Sequence, residues 1–391
     1  MSAAVAPTTD LLLTEEQAAL AASIAEFCRR ECGTREQRDV LTENGVHAHN
    51  QALYRKMADL GWAGLYIPEE YGGAGAGLVE YTVFWEETWR GLAPINGAGS
   101  SATVSSFYKR YGTEKQKLDA LGAIAAGAIF AISISEPEAG SDVGNISTRA
   151  VRGDGGWILS GQKTWCSSAH IAQRLLLIAR TSREDSRQGG LTAFEVDTSL
   201  PGVDIRGIDT MGGREVNDVF LTDVFIPDEA VVGEVGRAWP QVMAGLNGER
   251  VVCAAQGIGM ARRTLDDLLD YVRTRKQFGK PIGTFQALRH RIADLATEVE
   301  CCRLLTYDVA QRVDTGRGSP EQLARLTSMA KLKVTETAKR VALEGMQMMG
   351  GYGYASEYDM EGHVRKALPA CIYAGTNEIQ REIISATYGL R

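Results

Sequence analysis

The stretch from Trp239 to Lys280, WPQVMAGLNGERVVCAAQGIGMARRTLDDLLDYVRTRKQFGK, constrains this chain more than any other. Its periodicity predicts one long helix. Val242, Leu246, Glu249, Cys253, Gly257 and Met260 recur at steps of three or four and so share a face. Every member of that face except Glu249 is small or apolar. Burying an ionised carboxylate without a partner is strongly unfavourable. Glu249 is therefore either half of an ion pair or helix-internal contact, with Arg250 or Arg262 as its partner, or a group used in chemistry.

On either side of this stretch the texture changes. TEEQAALAASIAEFCRREC predicts a helix with Thr14 as N-cap and Gln17 completing a capping box. Further helices are expected through NQALYRKMADLGW, GLVEYTVFWEETWRG and TEKQKLDALGAIAAG. From Ala128 the runs become short, alternating and β-rich, with RGDGGWILSG a hairpin turning at Asp154 to Gly156. From Ala238 the chain is helical again, with breaks at FGKPIGT, DTGRGSP and MMGGYGY. The expected class is α+β, mainly α, in three parts: residues 1–127 helical, 128–237 β, and 238–391 helical. The glycine-rich YGGAGAG lacks a strand-to-helix setting, and GWILSGQK has Gln162 where a phosphate-loop lysine belongs, so neither is a nucleotide cradle.

Composition removes several function classes. A formal charge of −7 and the absence of a basic run argue against nucleic acid or an anionic membrane surface as partner. No apolar run approaches a membrane span, and the opening MSAAVAPTTD lacks the regions of a signal peptide. The seven cysteines make no CxxC pair, which suits reduced thiols in a cytoplasmic enzyme. His47 and His49 have no further ligands nearby, so no metal site is expected.

Three short stretches carry polar chemistry. ISEPEAGSD places Gly140 and the Ser141 hydroxyl at a strand exit, where backbone amides can face an anion or a polar ring edge. KTWCSS offers Trp165 as a surface for a flat aromatic ligand. IYAGTNEIQREII reads as a helix start after a turn, with amides suited to phosphate or ring oxygens.

Taken together, PEEYGG, SEPEAGSD, SGQKTWCSSA, RKQFGKPIGTFQ, QMMGGYGY and AGTNEIQREII resemble the acyl-CoA dehydrogenase family, from about Leu13 to Gly389. The resemblance implies an N-terminal helical domain, a β-barrel-like middle domain and a C-terminal four-helix bundle. It also implies FAD as cofactor, an acyl-CoA or acyl-carrier thioester as substrate, and an electron-transferring flavoprotein as electron acceptor. The assembly it implies is a homotetramer, a dimer of dimers, with FAD near a subunit interface. Carried over by position, Ile134, Ser135, Gly140, Ser141, Trp165 and Ser167 line the flavin, as do Thr376 and Glu378. Arg275, Gln277, Phe278, Gln286, Gln347 and Gly351 match positions that touch the adenosine diphosphate half from neighbouring subunits. Ser141, Arg250, Tyr373, Ala374 and Gly375 match the substrate-contacting positions.

One departure matters most. Many family members carry the catalytic glutamate just before this GT, where the chain has Ala374. In the isovaleryl and long-chain types the base comes from the long helix, in an ER pair matching Glu249-Arg250. The resemblance thus makes Glu249 the α-proton base, and it leaves the backbone N–H at Ala374, with a flavin ribityl hydroxyl, to stabilise the enolate oxygen. By the same analogy the substrate is a branched short-chain or longer straight-chain acyl thioester, favoured over butyryl. Two alternatives stay open: an oxygen-using oxidase or monooxygenase of the same fold, and a catalytically silent acyl-CoA-binding subunit.

Overall fold

The computed structural model describes residues 13–184 and 188–390; the side chains of Ala244 and Leu246 lie outside the described ones. α1 (Glu15–Cys32) opens on the expected capping box: the Gln17 amide donates to the Thr14 hydroxyl, and the Gln17 side chain accepts from the Thr14 amide. α2 (Arg35–Thr42), α3 (Gln51–Asp59), α4 (Leu78–Arg90), α5 (Asn96–Tyr111) and α6 (Glu114–Ala125) follow.

One sheet occupies the middle of the chain. It contains β1 (Phe130–Ser133), β2 (Arg149–Gly153), β3 (Gly156–Ser167), β4 (Arg174–Arg180), β5 (Leu191–Asp197), β6 (Val203–Gly207), β7 (Val216–Pro227) and β8 (Val231–Val232). Its order is β6-β7-β3-β2-β4-β5-β8, with β1 parallel to β4. The sheet is open, not closed into a barrel. Its ends are β8, two residues long, and β6, whose residues are all exposed or half-buried and which serves as a solvated edge. Gly153 pairs with Gly156, so the β2–β3 turn is Asp154-Gly155, one residue tighter than expected.

α7 (Ala238–Thr274) is the predicted long helix, but it stops before Arg275 and does not reach Lys280. Phe278 (φ 51°) and Gly279 (φ 79°) turn the chain left-handed between β9 (Lys276–Gln277) and β10 (Lys280–Pro281), and Pro281 lacks the N–H a helix needs. α8 (Gln286–Asp314), α9 (Pro320–Met349), α10 (Gly351–Tyr354), α11 (Met360–Ala370) and α12 (Asn377–Ala386) complete the chain. α7 lies at the centre because its glycines let neighbours approach. A Cβ on Gly257 would meet Val334 of α9 at 2.7 Å, and one on Gly259 would meet the Glu86 carbonyl of α4 at 2.2 Å.

The same seam holds a buried charge cluster. Glu86, 1% exposed, accepts from Arg303 Nε at 2.8 Å, from the Tyr307 hydroxyl at 2.6 Å and from Arg262. Arg262 also donates to Glu87 at 2.9 Å. The cluster ties α4 to α7 and α8. Removing one partner strands the buried cations, which typically costs about 3–5 kcal/mol. Glu86→Ala should therefore lower the thermal midpoint by several degrees, and an unchanged midpoint would show that the cluster contributes nothing net.

Candidate functional site

The four helices α4, α5, α7 and α9 converge around Glu249. Val242, Cys253 and Met260, its neighbours on one face of α7, are buried, and Glu249 itself is half-buried. It borders a narrow cavity with Tyr66, Tyr81, Ala102, Ser106 and Val252. Burial pushes its pKa above the usual carboxylate range, against a hydrogen bond with Thr103 and the charges of Arg250 and Lys331. The ion pair weighed for Glu249 does not form among the described residues. Arg262 is engaged by Glu86 and Glu87, and Arg250 donates from Nη1 to Asn247 Oδ1 at 2.7 Å. Arg250 is 5% exposed and its buried Nε has no partner among the described residues. The result is a carboxylate of raised basicity with two cations facing it.

Lys331 is the residue the periodicity of α7 cannot reveal. Its side chain is fully buried, and Nζ donates to the Gly375 carbonyl and to Asn377 Oδ1, both at 3.0 Å. Asn377 in turn donates to the Thr335 hydroxyl at 3.1 Å. Gln380 Nε2 bonds the Ala374 carbonyl at 3.2 Å and the Gly375 carbonyl at 3.0 Å. These bonds hold Ala374 at φ 54°, a left-handed backbone that a residue with a Cβ adopts at some cost. The carbonyls of the turn point inward, and the chain then enters α12, with the Thr376 hydroxyl accepting from the Ile379 amide at 3.3 Å. The predicted helix start at GTNE is thus present, and Lys331, whose charge also acts on Glu249, ties it to α9. A signal for Lys331 existed: Ser328, Lys331, Thr335 and Ala338 share a buried face of α9 on which the lysine alone is charged.

The strand-exit residues assemble at one end of the sheet. The Thr164 amide donates to the Ser135 carbonyl at 2.9 Å, joining the loop after β1 to β3. Lys163 and Glu136 form a buried pair at 2.7 Å beneath that junction, and Lys163 also donates to the Ile134 carbonyl at 2.9 Å. The Lys163 charge, with donors from Thr148 and Ser147, outweighs burial and holds the Glu136 carboxyl well below the usual range. Ile134 and Ser135 are half-buried at this junction, while Gly140 and Ser141 are exposed on the loop that follows. Ser167 is half-buried at the end of β3, where the Ser100 hydroxyl of α5 donates to its carbonyl at 3.3 Å. Trp165 presents its indole outward, 60% exposed, on a backbone with φ 56°. A large ring held outward on strained backbone, beside hydroxyls and exposed loop amides, fits a flat heteroaromatic ligand such as a flavin.

The remaining positions gather elsewhere. Arg275 lies over the Tyr352 ring at 5.0 Å, beside the turn that follows Gln347 and carries Gly351. Gln277, Gln286 and Gln347 are exposed, and Phe278 is 92% exposed. Arg275 is some 26 residues beyond Glu249, so at 1.5 Å per residue about 39 Å of α7 separates the two groups. Tyr373, 38% exposed, and exposed Gly375 flank Ala374, and Glu378 is exposed in the first turn of α12. Among the described residues no group of His, Cys, Asp and Glu is placed to hold a metal ion, and no helix is long and apolar enough to cross a membrane.

Comparisons with known proteins agree with this geometry. The sequence matches the family descriptions "Acyl-CoA dehydrogenase, N-terminal domain" over 14–128, "middle domain" over 131–224 and "C-terminal domain" over 236–389. It is 33% identical over 384 residues to mitochondrial isovaleryl-CoA dehydrogenase of Solanum tuberosum, covering 96% of this chain and 91% of that protein. The structure of acyl-CoA dehydrogenase from Geobacillus kaustophilus superposes with a TM-score of 0.90 at 30% identity, covering 97% of this chain and 99% of the other. The FAD complex of PigA gives a TM-score of 0.89 at 26% identity, with 97% and 99% covered.

If Lys331 secures the turn at Ala374, Lys331→Met should speed amide hydrogen exchange across 371–380, since hydrogen bonds to charged groups contribute about 1.5–3 kcal/mol. Exchange no faster than in the unmodified protein would mean that Gln380 and the α12 cap suffice alone.

Proposed function

The chain belongs to the acyl-CoA dehydrogenase family, and from this we propose that Glu249 removes the α-proton of a saturated acyl-CoA thioester as the trans-2-enoyl thioester forms. The observation that carries the assignment is the half-buried Glu249 carboxylate, made more basic by burial and left without an ion-pair partner among the described residues. FAD is the cofactor, and when bound it supplies the acceptor for the β-hydride. Trp165, with Ser135, Ser141 and Ser167, orients the flavin ring, and Ile134, Gly140, Thr376 and Glu378 complete its surroundings.

The chain's own residues carry the proton chemistry. A thioester α-proton is too weakly acidic for a free carboxylate, so the enolate oxygen needs fixed donors. The N–H of Ala374 serves there, and the grip of Lys331 and Gln380 on the neighbouring carbonyls supports that placement. Arg250, whose Nε is free to donate, lies beside the base and faces the thioester side of the site, with Tyr373 and Gly375 lining the entry. As the α-proton moves to Glu249, its bonding pair forms the new double bond and the hydride leaves the β-carbon.

Arg275, Gln277, Phe278, Gln286, Gln347 and Gly351 grip the adenosine diphosphate half of FAD from a neighbouring subunit. The separation of Arg275 from Glu249 along α7, and the exposure of Phe278, support a homotetramer in which each chain serves two sites. The electrons pass on to an electron-transferring flavoprotein, and the protein works in the cytoplasm.

Glu249→Gln should retain FAD and bind acyl-CoA, yet reduce its flavin on the order of 10² to 10⁴ times more slowly in anaerobic single turnover. Bleaching at the original rate would make Glu249 a structural acid. In the unmodified protein the reduction rate should rise with pH through a value above the ordinary carboxylate range, because only the ionised base accepts a proton. Lys331→Met removes a cation facing Glu249 and should move that limb to still higher pH. Separately, Arg275→Ala should weaken FAD binding, since a guanidinium forks onto pyrophosphate oxygens. Equal FAD affinity in Arg275→Ala would remove that role.

A further inference from the structure

We propose that Lys163 and Glu136 are positioning residues for the flavin. Their buried pair holds the loop after β1 and a bulge in β3 in one frame, so that Ser135 and Trp165 meet the same ring. The proposal rests on the reading of Ser135 and Trp165 as flavin contacts. The bulge is visible in the strand register. Lys163 pairs with Val219 and Cys166 with Asn217, so Thr164 and Trp165 of β3 stand opposite Asp218 alone. Bulges of this kind bend a strand and re-aim a side chain, and they recur beside active sites. This one carries Trp165 at φ 56° with its indole 60% exposed. A left-handed backbone on a bulky residue persists only where its surroundings over-determine it.

Those surroundings are built on the pair. The Lys163 side chain is fully buried and that of Glu136 is 3% exposed. Lys163 Nζ donates to Glu136 Oε1 at 2.7 Å and to the Ile134 carbonyl at 2.9 Å, and so grips the chain on either side of Ser135. The Ser135 carbonyl accepts from the amide of Thr164, the first residue of the bulge, at 2.9 Å. Glu136 Oε2 accepts from the Ser147 amide at 2.6 Å and from its hydroxyl at 2.7 Å, while Oε1 accepts from the Thr148 amide at 2.9 Å. Beyond the bulge, Cys166 Sγ bonds the Ile132 carbonyl at 3.2 Å, and the Cys166 carbonyl accepts from Asn217 Nδ2 at 3.0 Å. A buried ion pair seldom adds net stability over apolar side chains of similar volume. This one supplies direction, since Lys163 Nζ and both Glu136 oxygens each have two partners. Burial pulls the Lys163 pKa down to about 8 against the charge of Glu136. Without that charge the amine sheds its proton, and with it the charge-assisted hold on the Ile134 carbonyl.

The test is Glu136→Gln, alone and combined with Trp165→Ala. It is read by FAD affinity and by the fluorescence of the bound flavin, which an indole in ring contact quenches. Glu136→Gln should raise the fluorescence and weaken FAD binding about tenfold, the order of coupling within one hydrogen-bonded network. In the Trp165→Ala background the same substitution should cost at most about threefold, because the ring it positions is gone. Effects on affinity that simply add would overturn the proposal, as would unchanged affinity and fluorescence in Glu136→Gln. Should that variant not fold, Ser147→Ala serves instead, removing a hydroxyl donor from an exposed residue. It should weaken FAD binding about twofold or more, and unchanged affinity there would likewise overturn the proposal. Weakened binding in Trp165→Ala beside an unaffected Glu136→Gln would remove the pair's role and leave the flavin-contact reading standing. Trp165→Ala that binds FAD as tightly as the unmodified protein would overturn that reading, and this proposal with it.

Discussion

The buried Lys331 ammonium is the contact on which the site depends. It reaches from α9 to the Gly375 carbonyl and Asn377, and it is one of two cations facing Glu249. A cation buried among neutral acceptors is costly by itself, and burial does pull its pKa down. It is retained because it answers two needs at once. It secures a turn in which Ala374 sits at φ 54°, and it favours the ionised form of a base that burial would otherwise keep protonated.

That balance explains why Glu249 lacks an ion-pair partner among the described residues. A direct guanidinium contact would lower its pKa and its basicity together. Arg250, its neighbour, is engaged with Asn247, and Arg262, about 20 Å further along α7, belongs to the Glu86 cluster. The Glu86 cluster therefore serves the chemistry indirectly, by fixing α4 against α7.

Much of this was legible in the sequence, for reasons that differ by element. The single acid on the apolar face of α7 stood out because every neighbour at helical spacing was small or apolar. The capping box at Thr14 and the GTNE helix start were local signals, and both are present. α5 was harder to see: its NGAGSSATVSS is rich in Gly, Ser and β-branched residues, weak helix formers that tertiary packing overrides. Yet α5 supplies Thr103 to Glu249 and Ser106 to the cavity. The open sheet was also beyond reach, since strand patterns do not say whether the terminal strands meet. The end of α7 at Thr274 depended on Phe278 taking a left-handed backbone that its residue type disfavours.

The central claim is that Glu249 takes the α-proton. It is tested most directly where proton removal is separated from hydride transfer, by following exchange of the α-hydrogens of 3,3-dimethylbutyryl-CoA into D₂O. That thioester has α-hydrogens but none on its β-carbon, so exchange reports the base alone. The FAD-loaded protein should catalyse the exchange, and Glu249→Gln should not do so on the same timescale. Equal exchange by the two proteins would contradict the assignment and place the base elsewhere.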